Sequence, residues 1–99
     1  MFRGTKYITQ GINAEIPAFL QNILWYMIET MEVSEKDYLQ IFQLNQASER
    51  GVIRQRIIHT QEQPPFQKEY IIHTKQIVTA KIYVIDDKTH CTMLLADEY

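Results

Sequence analysis

The chain has 99 residues, 45% of them hydrophobic and 11% aromatic, with a net charge of −2, which suits one compact domain and differs from the charge-heavy composition of disordered chains. Its single cysteine, Cys91, excludes an intramolecular disulfide and a four-cysteine zinc site. No stretch has the apolar length of a secretion leader or a membrane span, so residues 1–99 are expected to form a single cytoplasmic domain.

In chain order, the short stretch KYIT (Lys6–Thr9) has the residues of an added edge strand. From Pro17 to about Glu32, Ile16, Phe19, Leu20, Ile23, Leu24, Met27, Ile28 and Met31 recur at spacings of three and four. This predicts a helix buried along one stripe. Pro17 suits the first helical position, and Asn13 and Glu15 suit a polar entry turn. Trp25 projects away from the stripe, among Ala18, Asn22 and Glu29, so either a terminal segment folds over it or it is an exposed anchor for another protein.

After the connection VSEKD, β-forming residues dominate. Five strands are predicted, at Asp37–Asn45, Val52–Thr60, Glu69–Thr74, Ala80–Ile85 and Cys91–Ala96. ASERG before Val52 and DDKT at Asp86–Thr89 carry hairpin-turn chemistry, whereas QEQPPF (Gln61–Phe66) is expected as an ordered loop because its two prolines cannot donate to a ladder. One helix followed by hairpin-linked strands predicts an α+β fold, with one amphipathic helix packed on a mainly antiparallel sheet of about five strands. The string IIHT occurs twice, at Ile57–Thr60 and Ile71–Thr74, too short a match for a structural repeat.

Catalytic and metal chemistry find little support. His59, His73, His90 and Cys91 are the strong transition-metal ligand types, but no pair has a zinc-ligand spacing, and adjacent His90 and Cys91 in a strand point to opposite faces. Cys91 among Thr92, Met93 and Leu94 reads as an inert core thiol. Gly4, Gly11 and Gly51 are too scattered for a phosphate loop. No catalytic residue, metal or cofactor is therefore assigned.

Charge offers a different candidate. Segment totals are −3 over residues 1–49, +4 over 50–81 and −3 over 82–99. Arg54 and Arg56 alternate onto one strand face, and Arg50, Lys68, Lys75 and Lys81 are expected nearby, with Phe66, Tyr70 and Tyr83 interleaved. The set has the outline of a nucleic-acid platform of cations and aromatics, although the acidic flanks oppose a phosphate backbone.

The strings YITQGINAEIP, DYLQIFQL, IIHTQEQPPF, KEY, AKIYVIDD and THCTMLLADEY together resemble domain-of-unknown-function family 960, small proteins of Gram-positive bacteria and their phages and mobile elements. The stretches HTQEQP and VIDD followed by THCTMLLADEY are the most specific parts. The resemblance covers nearly the whole chain and implies an intracellular bacterial or phage setting, with no activity or site residue to carry over. With no convincing catalytic set, the expectation is a non-enzymatic protein-interaction or accessory module with Trp25 as candidate anchor. A nucleic-acid binder is the alternative, and a small metal- or thiol-dependent enzyme comes third.

Overall fold

Side chains that alternate in polarity every second residue carry nearly half of the chain into one sheet. The computed structural model describes residues 1–99, with strands β1 (Thr5–Ile8), β2 (Leu39–Glu49), β3 (Val52–Gln61), β4 (Phe66–Ile72), β5 (Ala80–Asp86) and β6 (His90–Leu95). Helices α1 (Gln10–Glu15) and α2 (Ala18–Glu29) lie between β1 and β2, and a 3-10 turn, Ala96–Glu98, ends the chain. The sheet order is β1-β6-β5-β2-β3-β4. Only the β1–β6 pair is parallel. The fold is thus α+β, with six strands instead of about five. No helix is long and apolar enough to cross a membrane.

Only one face of the sheet carries the core. Phe42 and Leu44 of β2, Ile57 of β3, Ile82 and Val84 of β5, and Cys91, Met93 and Leu95 of β6 are buried with Ile12 of α1 and Leu20, Leu24, Met27 and Ile28 of α2. The stripe is narrower than predicted, because Phe19 is 42% exposed. Pro17 is the N-cap instead of the first helical residue, its carbonyl accepting from the Leu20 and Gln21 N–H groups at 3.0 and 3.1 Å. The helix stops at Glu29, short of Glu32, as the Thr30 hydroxyl bonds back to the Tyr26 carbonyl at 2.8 Å.

Turn chemistry sets the hairpin registers. Glu49 pairs with Val52, so Arg50 and Gly51 form a two-residue loop with φ of 52° and 78°, the left-handed geometry that matches strand twist. Asp86 pairs with Cys91 across the DDKT turn, where the Asp87 N–H meets the His90 carbonyl at 2.8 Å and Asp86 Oδ2 accepts from the Lys88 N–H at 3.3 Å. The loop between β3 and β4 contains a cis Gln63–Pro64 bond. The chain then crosses from edge strand β4 to β5 along the helix side, tied down by buried Gln55, whose side chain accepts from Val78 N–H at 2.7 Å and donates to Val78 O at 3.0 Å.

The segment before α2, expected as an entry turn, contains the helix α1. Thr9 caps it by accepting from the Ile12 N–H at 3.3 Å. Glu98, from the far end of the chain, accepts from the Thr9 hydroxyl at 2.6 Å, the Gly11 N–H at 3.2 Å and the Leu95 N–H at 2.8 Å. These bonds hold its carboxyl below the ordinary carboxylate range.

Candidate functional site

The four metal-ligand types do not meet. His59 is buried on the helix side of β3, His73 is exposed beyond β4, and His90 lies on the outer side of β6 with Nε2 3.3 Å from Asp87 Oδ2. Cys91 is buried on the helix side, its thiol directed at the Thr5 carbonyl at 3.8 Å. Burial pushes the thiol pKa up, which keeps it protonated and poorly nucleophilic.

His59 instead belongs to a buried polar row. Its Nε2 lies 2.6 Å from Gln40 Oε1. Gln40 Nε2 donates to Gln61 Oε1 at 2.7 Å and to the Asp37 carbonyl at 2.9 Å, so Gln40 Oε1 is the acceptor and His59 carries its proton on Nε2. Gln61 accepts from the Asp37 N–H at 2.8 Å and donates to the Glu35 and Pro64 carbonyls at 3.0 and 2.9 Å. The imidazole stacks on Phe42 at 4.3 Å and meets the Phe66 ring edge-on at 5.2 Å. Its Nδ1 has no partner. Desolvation, helped by Lys68, lowers the His59 pKa to about 4. A neutral imidazole bonded to an amide and sandwiched by aromatics is a structural fastening, with no opening toward solvent. His59 and the QEQPPF loop are joined through Gln61, whereas the acidic C-terminal end lies at Thr9 and Gly11.

Trp25 is not an exposed anchor. It is half-buried against the core, and Lys6 of β1 stands 5.7 Å from the ring centroid while its Nζ lies 3.7 Å from Glu29. The Lys6 side chain of the terminal strand β1 reaches over the indole, which takes a cation–π contact there.

The basic set is divided by strand register. Ile58 pairs with Glu69 and His59 with Lys68, so Arg54 and Arg56 share the outer face with Glu69 while Lys68 points to the helix side, 5.2 Å over Tyr70. Arg50 sits in the hairpin turn and Lys75 in the crossover. Lys81 joins Arg54 and Arg56 on the outer face, 5.7 Å from the Tyr83 ring. The expected common platform of Arg50, Arg54, Arg56, Lys68 and Lys75 is therefore not formed.

The outer face holds a feature that charge counting did not find. Register aligns Leu94, Tyr83 and Ile41 in one row, Thr92, Ile85 and Leu39 in the next, and Lys81, Gln43 and Ile58 on the other side. Leu39, Ile41, Ile58, Tyr83, Ile85 and Leu94 are all half-buried, shielded by one another because no helix packs on this side. Tyr7 of β1 extends the surface at 54% exposure, and Tyr99 meets Tyr83 edge-on at 5.6 Å. Beyond the apolar rows, Arg54 and Arg56 continue along β3, the Arg56 Nε donating to Asn45 Oδ1 at 2.7 Å. Elsewhere the surface offers two shallow clefts of about 230 and 280 Å³ that share Glu15, and neither includes His59 or Cys91.

The profile of a family described as "Staphylococcal protein of unknown function (DUF960)" matches residues 5–98. None of the curated proteins matches the chain. A solved structure described as "the protein of unknown function from Enterococcus faecalis" is similar to it at 20% identity with a TM-score of 0.75, over 97% of this chain and 91% of that one. That likeness extends to the fold.

Proposed function

The chain belongs to the DUF960 family, and for this member of it we propose a non-enzymatic interaction module that docks another protein on the outer face of its sheet. The observation that carries this reading is a contiguous surface of Leu39, Ile41, Tyr83, Ile85 and Leu94 in a sheet with helices on one side only. An apolar sheet face that no helix of the fold covers, its side chains half-buried only by their neighbours, is the kind of surface that docks a partner. The chemistry of the remaining candidates agrees: a protonated thiol, a histidine closed into an amide network and shallow clefts give no reacting constellation. The buried, unpaired Cys91 supports a reducing, cytoplasmic setting, and the family's description as a staphylococcal protein supports a Gram-positive bacterium as the source.

Ile41→Asp tests the reading, because it places a charge on the outer face without touching the core. With the circular dichroism spectrum unchanged, the variant should fail to retain a protein that wild type captures from native-host lysate after nuclease treatment. Capture that nuclease abolishes, or that Ile41→Asp leaves intact, would refute it.

A further inference from the structure

Arg54, Arg56 and Lys81 border the apolar rows of the outer face on one side, since Lys81 aligns with Gln43 and Ile58, Arg56 with Asn45, and Arg54 with Ala47. None of the three makes an ion pair, the only pairs in the protein being Lys6–Glu29 and His90–Asp87. Glu49 at the hairpin end, Glu69 on edge strand β4 and Asp97, which lines a cleft with Lys81, lie about this rim without an ion pair to any of the three. An apolar floor with a one-sided cationic rim has the anatomy of a protein interface whose core is dry and whose rim selects by charge. We infer that the outer face takes an amphipathic segment of another protein, apolar toward Ile41, Tyr83 and Leu94 and carrying carboxylates on the flank that meets Arg54, Arg56 and Lys81. This rests on the docking reading above and adds the chemistry of the partner.

Two other occupants fit less well. A second copy could offer the cations only the carboxylates of its own face, Glu49, Glu69 and Asp97, and these flank its own cations instead of lining the opposite edge of the apolar rows. A single-stranded nucleic acid needs several planar rings on which bases stack, whereas the floor is mostly aliphatic and the chain's net charge is −2.

The test uses the full chain and three short synthetic helical peptides with one leucine face and a polar face of glutamate, glutamine or lysine, alongside oligo(dT). The glutamate peptide should bind roughly tenfold more tightly than the lysine peptide at low salt, and the preference should shrink as salt rises. Its addition should shift the methyl resonances of Leu39, Ile41, Ile58 and Leu94. Double substitution Arg54→Glu/Arg56→Glu should invert the order, and Lys81→Glu alone should weaken it; both are surface changes checked by circular dichroism. Equal affinity for all three peptides on this face would overturn the acidic partner and leave protein docking standing. Tighter binding of oligo(dT) would overturn both in favour of nucleic acid, and no perturbation of the face by any peptide would overturn the inference as well.

Discussion

Acidification should weaken this fold before its carboxylates begin to titrate, through His59. The imidazole has an ordinary pKa of 6.5 when the chain is unfolded and about 4 in the fold, so between those values the unfolded chain binds a proton that the native chain refuses. Its contribution is complete above pH 6.5 and is lost as pH falls toward 4. At about 1.4 kcal/mol per pH unit, the full loss is ~3 kcal/mol, and by pH 5 it has reached ~2 kcal/mol. A charged ring there would stand between Phe42 and Phe66 with Lys68 on the neighbouring strand.

The assay is urea unfolding followed by the fluorescence of Trp25, the protein's only tryptophan, at pH values from neutrality to pH 5. His59→Phe removes the titrating group while keeping a ring in the stack. It should cost about 1–3 kcal/mol at neutral pH, because Gln40 Oε1 loses its donor, yet its stability should lack the ~2 kcal/mol acid-side decline of wild type. Parallel pH curves for the two proteins, or a His59 ring resonance titrating at the ordinary value, would refute the assigned burial and tautomer.

Gln61→Ala should destabilise by about 2–4 kcal/mol in the same assay, since it strands the Asp37 N–H and the Glu35 and Pro64 carbonyls; faster amide exchange at Asp37 would locate the loss, and an unchanged midpoint would contradict it. Glu98→Ala should speed exchange of the Gly11 and Leu95 amides while leaving the β3 amides protected. Because its carboxyl is held below the ordinary value of 4.5, the clamp persists above that pH and loosens in wild type as pH falls below it. Gly51→Ala meets no atom within 4 Å, so its cost is the backbone strain of φ 78° alone, about 1 kcal/mol by urea unfolding.

Legibility followed the range of the interactions involved. Leu20, Leu24, Met27 and Ile28 announce α2 because a helix stripe is written within three turns, and Gly51 and Asp86 mark their turns through local backbone chemistry. Helix α1 was hidden because one of the groups holding its first turn is Glu98, 87 positions from Gly11. Strand β1 has four residues, all exposed, and exists through pairing with β6 at the opposite end of the chain. The buried amides were present in the alternation Gln55, Ile57, His59, Gln61, which shares one phase, but glutamine in a strand reads as solvated until its partners are known. Trp25 departed from its stripe and so suggested a docking residue, yet Lys6 of β1 meets that departure within the chain.

The outer face left its own trace in β2, where Phe42 and Leu44 occupy one phase of the strand while Leu39 and Ile41 occupy the other. Apolar residues in both phases are the pattern typical of strands covered on both sides. One phase is satisfied by α2, and β5 repeats the pattern with Ile82 and Val84 inward and Tyr83 and Ile85 outward. Neighbouring strands therefore agree in register on a second apolar surface for which this chain supplies no helix. Two-sided apolarity in a sheet with one layer of helices is a stronger indication of a missing neighbour than a single out-of-stripe tryptophan, because Leu39, Ile41, Tyr83, Ile85 and Leu94 would all have to be accounted for separately if nothing docks there.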